Sequence, residues 1–236
     1  MHPQQGPRQF KYYDLILTAF VVALLCSNLI GPAKIAQLDL PVVGLVTFGA
    51  GVLFFPVSYL FGDILTEVYG YGRDRRAVWA GFAALGFASF MAFVVVNLPA
   101  APFWADRQPA IETVFGNTWR IVLASLIAFW AGSFANSYVL AKMKVWTQGR
   151  WLWTRTIGST LVGELIDSAL FYSIAFWGVM TTEQLLTVML TQYVLKTSWE
   201  VVATPLTYWV VKRLKAAEQV DHFDTNTNFT PFKISV

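Results

Sequence analysis

Charged residues are scarce in this chain. Asp, Glu, Lys and Arg together make up 13% of the 236 residues, whereas 56% are hydrophobic. A soluble domain carries roughly 25% charged residues. The mean hydropathy is +0.52. This composition excludes an ordinary soluble globular domain and predicts an integral membrane protein.

Cysteine and histidine are nearly absent as well. The single cysteine, Cys26, lies inside an apolar run, which excludes a disulfide framework. The two histidines, His2 and His222, lie in the terminal segments, so we expect neither a metal site nor a Ser-His hydrolase, and no cofactor. A Gly-x-x-x-x-Gly-Lys phosphate-binding loop is also missing, so the chain is not expected to hydrolyse ATP itself.

The hydrophobic residues fall into six segments, which are approximately Tyr13–Gly31, Val43–Phe61, Ala77–Val96, Trp119–Leu140, Thr156–Met180 and Leu185–Val211. Their apolar residues are continuous rather than alternating, which favours helices over barrel strands. The first segment follows two basic residues, as a signal peptide would, but no clear cleavage site follows it, so we expect a retained helix. We therefore predict an all-α integral membrane protein with six transmembrane helices over residues 13–215, and terminal tails at 1–12 and 216–236.

Basic residues occur mainly in alternate connections between these segments. By the positive-inside rule, this pattern predicts that both termini are cytoplasmic. The residues that carry the pattern are Arg8, Lys11, Arg73, Arg75, Arg76, Lys142, Lys144, Arg150, Arg155, Lys212, Arg213 and Lys215. The polar C-terminal tail has two open interpretations: a disordered end, or a segment that docks through Phe229, Pro231 and Phe232.

Two carboxylates, Glu164 and Asp167, lie inside the fifth segment. Their i, i+3 spacing puts them on one face of a helix, and no cation lies within a turn of them on that helix. Unpaired charge at membrane depth is costly, and such residues normally face the bundle interior. They must therefore face Lys196, a cavity, a proton or a ligand, and we favour a polar cavity between helices.

Other hydrogen-bonding side chains are expected at similar depth. Asp63 and Glu67 share one face of the second helix, and Lys196 and Glu200 share one face of the sixth. Two structural alternatives stay open. In the first, Lys196 and Glu200 neutralise each other. In the second, which is independent of the first, Asp63 and Glu67 pair at the headgroups with the arginines that follow them.

Carboxylates accept hydrogen bonds, amide side chains donate and accept them, and aromatic rings provide flat stacking surfaces. This chemistry suits a planar, nitrogen-rich heterocycle or a small organic cation. The predicted substrate-binding residues are Glu164, Asp167, Asn136, Lys196, Glu200, Asp63, Glu67, Asn28, Trp199 and Tyr193.

Four stretches of the chain resemble the queuosine precursor transporters, also called the vitamin uptake transporter family. They are residues 62–76 (GDILTEVYGYGRDRR), 136–144 (NSYVLAKMK), 155–167 (RTIGSTLVGELID) and 228–232 (NFTPF). The resemblance implies a six-helix carrier in the bacterial inner membrane. Such a carrier imports deazaguanine precursors of the tRNA base queuosine, namely the cyano form preQ0 and the aminomethyl form preQ1. The resemblance implies no role for an individual residue.

We therefore expect an importer that alternates access to a small-molecule site and is either facilitated or proton-coupled. The alternative is a substrate-binding membrane subunit of an ATP-driven uptake system. An enzyme is not expected, because Asp63 and Asp167 lack a recognisable protease motif. The expected partners are a deazaguanine and the lipid bilayer, with no nucleic acid, and the sequence leaves open whether the chain forms a homodimer.

Overall fold

The computed structural model of the chain describes residues 10–31, 34–41, 44–116 and 119–233. These residues form seven α-helices and one two-stranded hairpin. The helices are α1 Tyr13–Leu25, α2 Phe55–Tyr69, α3 Tyr71–Asn97, α4 Gln108–Phe115, α5 Trp119–Trp146, α6 Leu152–Phe176 and α7 Thr182–Glu218. The strands are β1 Ile35–Leu40 and β2 Gly44–Gly49, and α1 continues into a π-helical turn over Cys26–Ile30. The fold is helical as predicted, with a hairpin that the prediction lacked.

Many polar side chains lie inside the bundle, next to an apolar core, and many large apolar side chains lie on its outer surface. Arg155, Glu164 and Glu200 are each only 1% exposed, whereas Phe87 and Phe93 are 67% and 64% exposed. A soluble protein rarely exposes contiguous apolar surface of this kind, while lipid solvates it. Among the residues that the structure describes, four helical segments are long and apolar enough to cross a membrane: Tyr13–Ile30, Tyr71–Asn97, Pro102–Trp146 and Leu152–Phe176. The chain is a multi-pass membrane protein.

The predicted second helix, Val43–Phe61, is wrong in its first half. Residue 43 lies outside the described residues, and Gly44–Gly49 form β2, which pairs antiparallel with β1 so that Leu40 faces Gly44. A 3₁₀ turn over Ala50–Leu53 then leads into α2. Glycine disfavours helix interiors, and the φ of +75° at Gly44 is one that glycine adopts without strain. The glycines of this stretch therefore override its hydrophobicity.

Helix α2 is short and helix α7 is long. The 15 residues of α2 span about 22 Å, less than the roughly 30 Å of a bilayer core. The 37 residues of α7 span about 55 Å. Neither helix is among the four candidate spans. These are the two helices that supply Asp63, Glu67, Lys196 and Glu200.

The two ends of the bundle are distinct. At one end, here called the tail end, α2 meets α3 at Gly70, α5 meets α6 near Gly149, and α7 leads into residues 219–233. The start of α1 joins this end, because Glu218 accepts the backbone N–H groups of Lys11 and Tyr12. The opposite end, here called the hairpin end, carries the β-hairpin, α4 and the connection between α6 and α7.

The C-terminal segment packs along α3 and α5 at the tail end. The Arg75 guanidinium donates to the carbonyls of Asn228 and Thr230 at 2.8 Å each, and the Trp79 indole N–H donates to the Pro231 carbonyl at 2.8 Å. The Phe232 ring lies 5.8 Å from the Trp130 ring. Of the two interpretations that the sequence left open for this tail, the docked segment is the one observed.

Candidate functional site

Polar side chains of α6 and α7 form a buried charged triad of Lys196, Glu164 and Asp167. The Lys196 ammonium lies 2.8 Å from Asp167 Oδ2 and 3.0 Å from Glu164 Oε2. It also lies over the Phe55 ring of α2, 3.6 Å from the centroid. The two acids therefore face Lys196, which was one of the expected alternatives. One ammonium group pairs with two carboxylates, so the triad has more acceptor sites than donors when both acids are ionised.

A close crossing of α5 and α6 at two glycines sets the position of the triad. A Cβ atom on Gly132 would lie 3.0 Å from the Gly163 carbonyl oxygen, and one on Gly163 would lie 3.0 Å from the Gly132 carbonyl oxygen. The same hypothetical Cβ on Gly132 would lie 2.8 Å from Asp167 Cβ. The missing side chains allow the two backbones to approach and bring the acids of α6 toward α2 and α5.

Tyr59 of α2 inserts at this crossing. Its hydroxyl oxygen would lie 2.7 Å from a Cβ on Gly132. The hydroxyl is close enough to Asp167, Glu164 and Asp63 to interact electrostatically with all three. It has no hydrogen-bond partner among the described residues, and Tyr59 lines a small cavity within the bundle.

A second group of polar side chains lies beside the triad on α2, α5 and α7. Asn136 of α5 donates to Asp63 Oδ1 at 2.7 Å, and Asp63 interacts electrostatically with Glu200 of α7. Within the described ranges, several buried oxygen atoms here and on the same face of α6 have no hydrogen-bond partner. They are Tyr59 Oη, Asp63 Oδ2, Asn136 Oδ1, Thr160 Oγ1, Ser168 Oγ and both Glu200 carboxylate oxygens. We call these residues and the triad together the polar cluster.

Glu67 lies one turn further along α2 and belongs to a separate ion network at the tail end. Its carboxylate accepts two parallel bonds from the Arg155 guanidinium at 2.7 and 2.8 Å. Lys215 and Lys144 also approach it, at 2.5 and 3.3 Å, and Lys144 donates to the Glu67 main-chain carbonyl. The network joins α2, α5, α6 and α7, so it holds the tail end of the bundle closed.

The C-terminal segment completes this network through Asp221 and is anchored by Asp224. Burial opposes ionisation of Asp221, but hydrogen bonds from Lys144 and Lys215 outweigh it and hold the Asp221 pKa below its usual value of 3.8. Burial likewise opposes ionisation of Asp224. Hydrogen bonds from His222, from the Thr227 hydroxyl and from the Tyr71 backbone N–H hold the Asp224 pKa below 3.8 as well. Both aspartates are therefore charged when the segment is docked at neutral pH.

Two cavities lie on either side of an apolar constriction. The smaller is about 10 Å³, room for one water, and is lined by Ser58, Tyr59, Asp74 and Asn136 among others. The larger, about 1080 Å³, lies toward the hairpin end and includes Asn28 and Ser125 in its wall. Phe20, Leu24 and Phe129 pack around Gly81 between them, all within 3.3 Å of where a Gly81 Cβ would lie.

The model of a family described as "putative vitamin uptake transporter" matches residues 49–210. The chain belongs to this family. Two curated relatives support the assignment of the chain to the vitamin uptake transporters. Among solved structures, no match was found.

The first relative is the "Probable queuosine precursor transporter" of Bacillus subtilis (strain 168). It is 31% identical over 177 residues, which cover 74% of this chain and 76% of the relative. The second is the "Queuosine precursor transporter" of Escherichia coli (strain K12). It is 27% identical over 143 residues, which cover 61% of each protein.

Most of the predicted site residues lie in or next to the polar cluster, and four lie apart from it. Glu67 is held in the ion network at the tail end. Asn28 accepts a hydrogen bond from Ser125 in the wall of the larger cavity. The Tyr193 hydroxyl donates to the Leu161 backbone carbonyl, and Trp199 is half-buried against the apolar core. Among the described side chains, Lys196 makes no ion pair with Glu200, so the proposed mutual neutralisation is not observed.

Sequence reasoning missed Tyr59, Gly132 and Gly163, although a signal for each was present. Tyr59, Asp63 and Glu67 recur at every fourth residue of α2, which marks one polar face. Gly132 and Gly163 each precede a polar residue, Ser133 and Glu164, within an apolar helix. A glycine beside a polar residue at membrane depth indicates a close helix crossing at a polar interface. In the described part of the chain, His, Cys, Asp and Glu side chains form no group that could hold a metal ion.

Proposed function

We propose that the chain imports queuosine precursors, the deazaguanines preQ0 and preQ1, across the bacterial inner membrane. The names of the two relatives supply the substrate class. The observation that carries the proposal is the Lys196 triad beside buried, unpartnered oxygen atoms, where four helices meet. Burial of so many polar atoms without hydrogen-bond partners costs free energy, so these atoms do not serve to stabilise the fold.

The chemistry of the cluster fits a guanine-like edge. A carboxylate accepts two parallel hydrogen bonds from a ring N–H and an exocyclic amine. Glu164 or Asp167 supplies such a carboxylate once Lys196 turns toward the other acid. The aminomethyl cation of preQ1 would replace part of the Lys196 charge, and the Tyr59 hydroxyl would bond to a ring nitrogen or carbonyl.

Alternating access follows from the closed ends. A cavity of about 10 Å³ beside the cluster holds one water and no heterocycle, so substrate entry requires helices to move. The tail end is closed by the Glu67 ion network and the hairpin end by the apolar constriction of Phe20, Leu24 and Phe129. We propose six membrane crossings, with α2 and α7 added to the four apolar spans. The tail end would be cytoplasmic, since most basic residues lie there.

Uptake of radiolabelled preQ1 by the purified chain in liposomes tests this proposal. Glu164→Gln keeps the shape of the side chain but removes the charge, and we expect about 10- to 100-fold weaker uptake, the effect of losing one charge-assisted hydrogen bond. Glu183→Gln is the matched control, because it makes the same change at an exposed position in the first turn of α7. Normal uptake by the Glu164 variant would remove this residue from the site.

The same assay separates an autonomous carrier from a subunit of an ATP-driven system. The autonomous carrier takes up preQ1 without any other protein. Strict dependence on a co-purifying ATPase would contradict the proposal. Adenine competing as well as preQ1 would contradict recognition through a guanine-type edge.

A further inference from the structure

The buried acids of the bundle differ in their partners. Glu164 and Asp167 share Lys196, and Glu67 is surrounded by Lys144, Arg155 and Lys215. Asp63 and Glu200 are 0% and 1% exposed, yet neither makes an ion pair with any cation in the described residues. This difference separates a pair of acids from the rest of the polar cluster.

The surroundings of this pair offer little to stabilise negative charge. Asp63 accepts one bond from Asn136, and its second oxygen has no partner among the described residues. The groups that act on Asp63 electrostatically are carboxylates: Glu200 of α7, Asp74 of α3 and Glu67 of α2. Glu200 also faces Glu164 of α6, and the nearest ammonium on its own helix, Lys196, is bound by the triad.

An ionised carboxylate without a cation or hydrogen-bond donors is strongly disfavoured inside a membrane protein. Asp63 and Glu200 interact electrostatically, so ionisation of one opposes ionisation of the other. The geometry points to a proton-binding pair formed by Asp63 and Glu200, which couples import of the substrate to inward movement of H⁺. This inference rests on the proposed function, because it assigns the coupling ion of the same carrier.

The location of the pair links the substrate to the tail-end closure. Asp63 precedes Glu67 by one turn on α2 and interacts with it electrostatically, so a change of charge at Asp63 would alter the electrostatic potential at the ion network. Glu200 follows Lys196 by one turn on α7 and interacts electrostatically with Glu164, so a change of charge at Glu200 would alter the potential at the triad. A proton arriving from the hairpin end forms an O–H bond on one carboxylate, and release to water at the tail end breaks it again. No other atom or electron is transferred.

Substrate accumulation against a gradient provides the direct test. Liposomes containing the purified chain are given a pH difference of one unit, acidic on the hairpin side, with preQ0 as the uncharged probe. One proton per substrate supports accumulation of about tenfold at zero membrane potential. A protonophore is expected to abolish it. Accumulation driven by a sodium gradient instead, or insensitivity to both gradients, would overturn the inference.

Asp63→Asn and Glu200→Gln fix each group in a form that resembles its protonated state. We expect the remaining uptake of either variant to stop at equal concentrations on both sides, and substrate no longer to cause alkalinisation of the acidic compartment. Glu183→Gln, the exposed control, is expected to accumulate preQ0 like the wild type. Tenfold accumulation by both cluster variants would overturn the pair as the proton site.

A second measurement does not depend on transport. Raising the pH forces charge onto the buried pair, so the melting temperature of the detergent-purified wild type is expected to fall with rising pH. The double variant is expected to lose less stability over the same range. An unchanged pH dependence in the double variant would refute the assignment. A wild type that neither binds nor exchanges any deazaguanine would instead refute the proposed function, even if the pH dependence of its stability behaves as expected.

Discussion

The glycine crossing of α5 and α6 allows a prediction in which two alanine substitutions act in opposite directions. In Gly132→Ala, the new Cβ would lie 2.7 Å from Tyr59 Oη, 2.8 Å from Asp167 Cβ and 3.0 Å from the Gly163 carbonyl oxygen. Asp167 Cβ and the carbonyl are fixed to the α6 backbone, so rotation of a flexible side chain cannot relieve these contacts. The helices must move apart.

The magnitude follows from two opposing effects. Alanine stabilises a helix interior by about 0.8–1 kcal/mol relative to glycine, whereas overpacking typically costs about 1–3 kcal/mol. Gly86→Ala in α3 isolates the first effect, because no atom lies within 4 Å of the added Cβ. The helix-propensity gain is common to both variants and cancels in their comparison. Gly132→Ala is therefore expected to be less stable than Gly86→Ala by about 1–3 kcal/mol.

Thermal or denaturant unfolding of both variants in detergent measures this difference, and preQ1 binding to the folded fraction reports on the site. We expect weakened binding by Gly132→Ala, since its Cβ displaces Asp167 and Tyr59, and normal binding by Gly86→Ala. A Gly132 variant as stable as the Gly86 variant would show that α5 and α6 do not cross closely here. The crossing of α5 and α6 would then not be what positions the polar cluster.

Three further substitutions test the charged groups. Lys196→Met leaves Glu164 and Asp167 without their cation and is expected to destabilise the chain by about 3–5 kcal/mol. Adding Glu164→Gln and Asp167→Asn is expected to restore most of the lost stability. A triple variant as unstable as the single one would contradict this. Arg155→Lys removes the two parallel bonds to Glu67 and is expected to cost about 1–3 kcal/mol in unfolding experiments. The exposed control Arg213→Lys should change stability by less than about 0.5 kcal/mol, and equal effects would refute the role of the network. Asp224 has a pKa below 3.8 when the C-terminal segment is docked. Its contribution to the stability of the docked segment is therefore complete above pH 3.8 and is lost as the pH falls through the lowered pKa. The Tyr71 backbone N–H donates to Asp224. In the wild type, this N–H should lose its protection from hydrogen exchange as the pH falls through the Asp224 pKa. In Asp224→Asn, the Tyr71 N–H should already exchange faster than in the wild type at neutral pH and should show no such transition.

The sequence predicted the membrane class and the inward-facing acids because both depend on local properties. Hydrophobic runs are local, and the expense of a carboxylate at membrane depth holds whatever its partner is. From Glu164 and Asp167 alone it followed that a partner or a cavity had to face them, and Lys196 was among the named partners. The choice among partners needs the relative rotation of α6 and α7, which no local pattern determines.

The sequence prediction and the structure differ where tertiary contacts decide the outcome. The hydrophobicity of residues 44–49 predicts a helix, whereas glycine disfavours a helix interior and the segment forms β2. Asp63 and Glu67 share a face of α2, which predicts a common environment for both. Yet the cations that bind Glu67 come from the ends of α5, α6 and α7, far away in sequence. A shared helix face therefore predicted a common environment for two residues that lie in different ones.

The two closures of the bundle differ in chemistry, and this difference bears on how the carrier would cycle. Opening the hairpin end separates Phe20, Leu24 and Phe129, whose contacts are non-directional and can re-form against a substrate or lipid. Opening the tail end separates Glu67 from three cations, and each charge must then find water or another partner. The tail end is adjacent to bulk water and to Asp221, which is about half exposed and pairs with Lys144 and Lys215. The Asp221 carboxylate can offset one of these two positive charges while Glu67 moves away. The docked C-terminal segment would thereby lower the cost of opening the tail end.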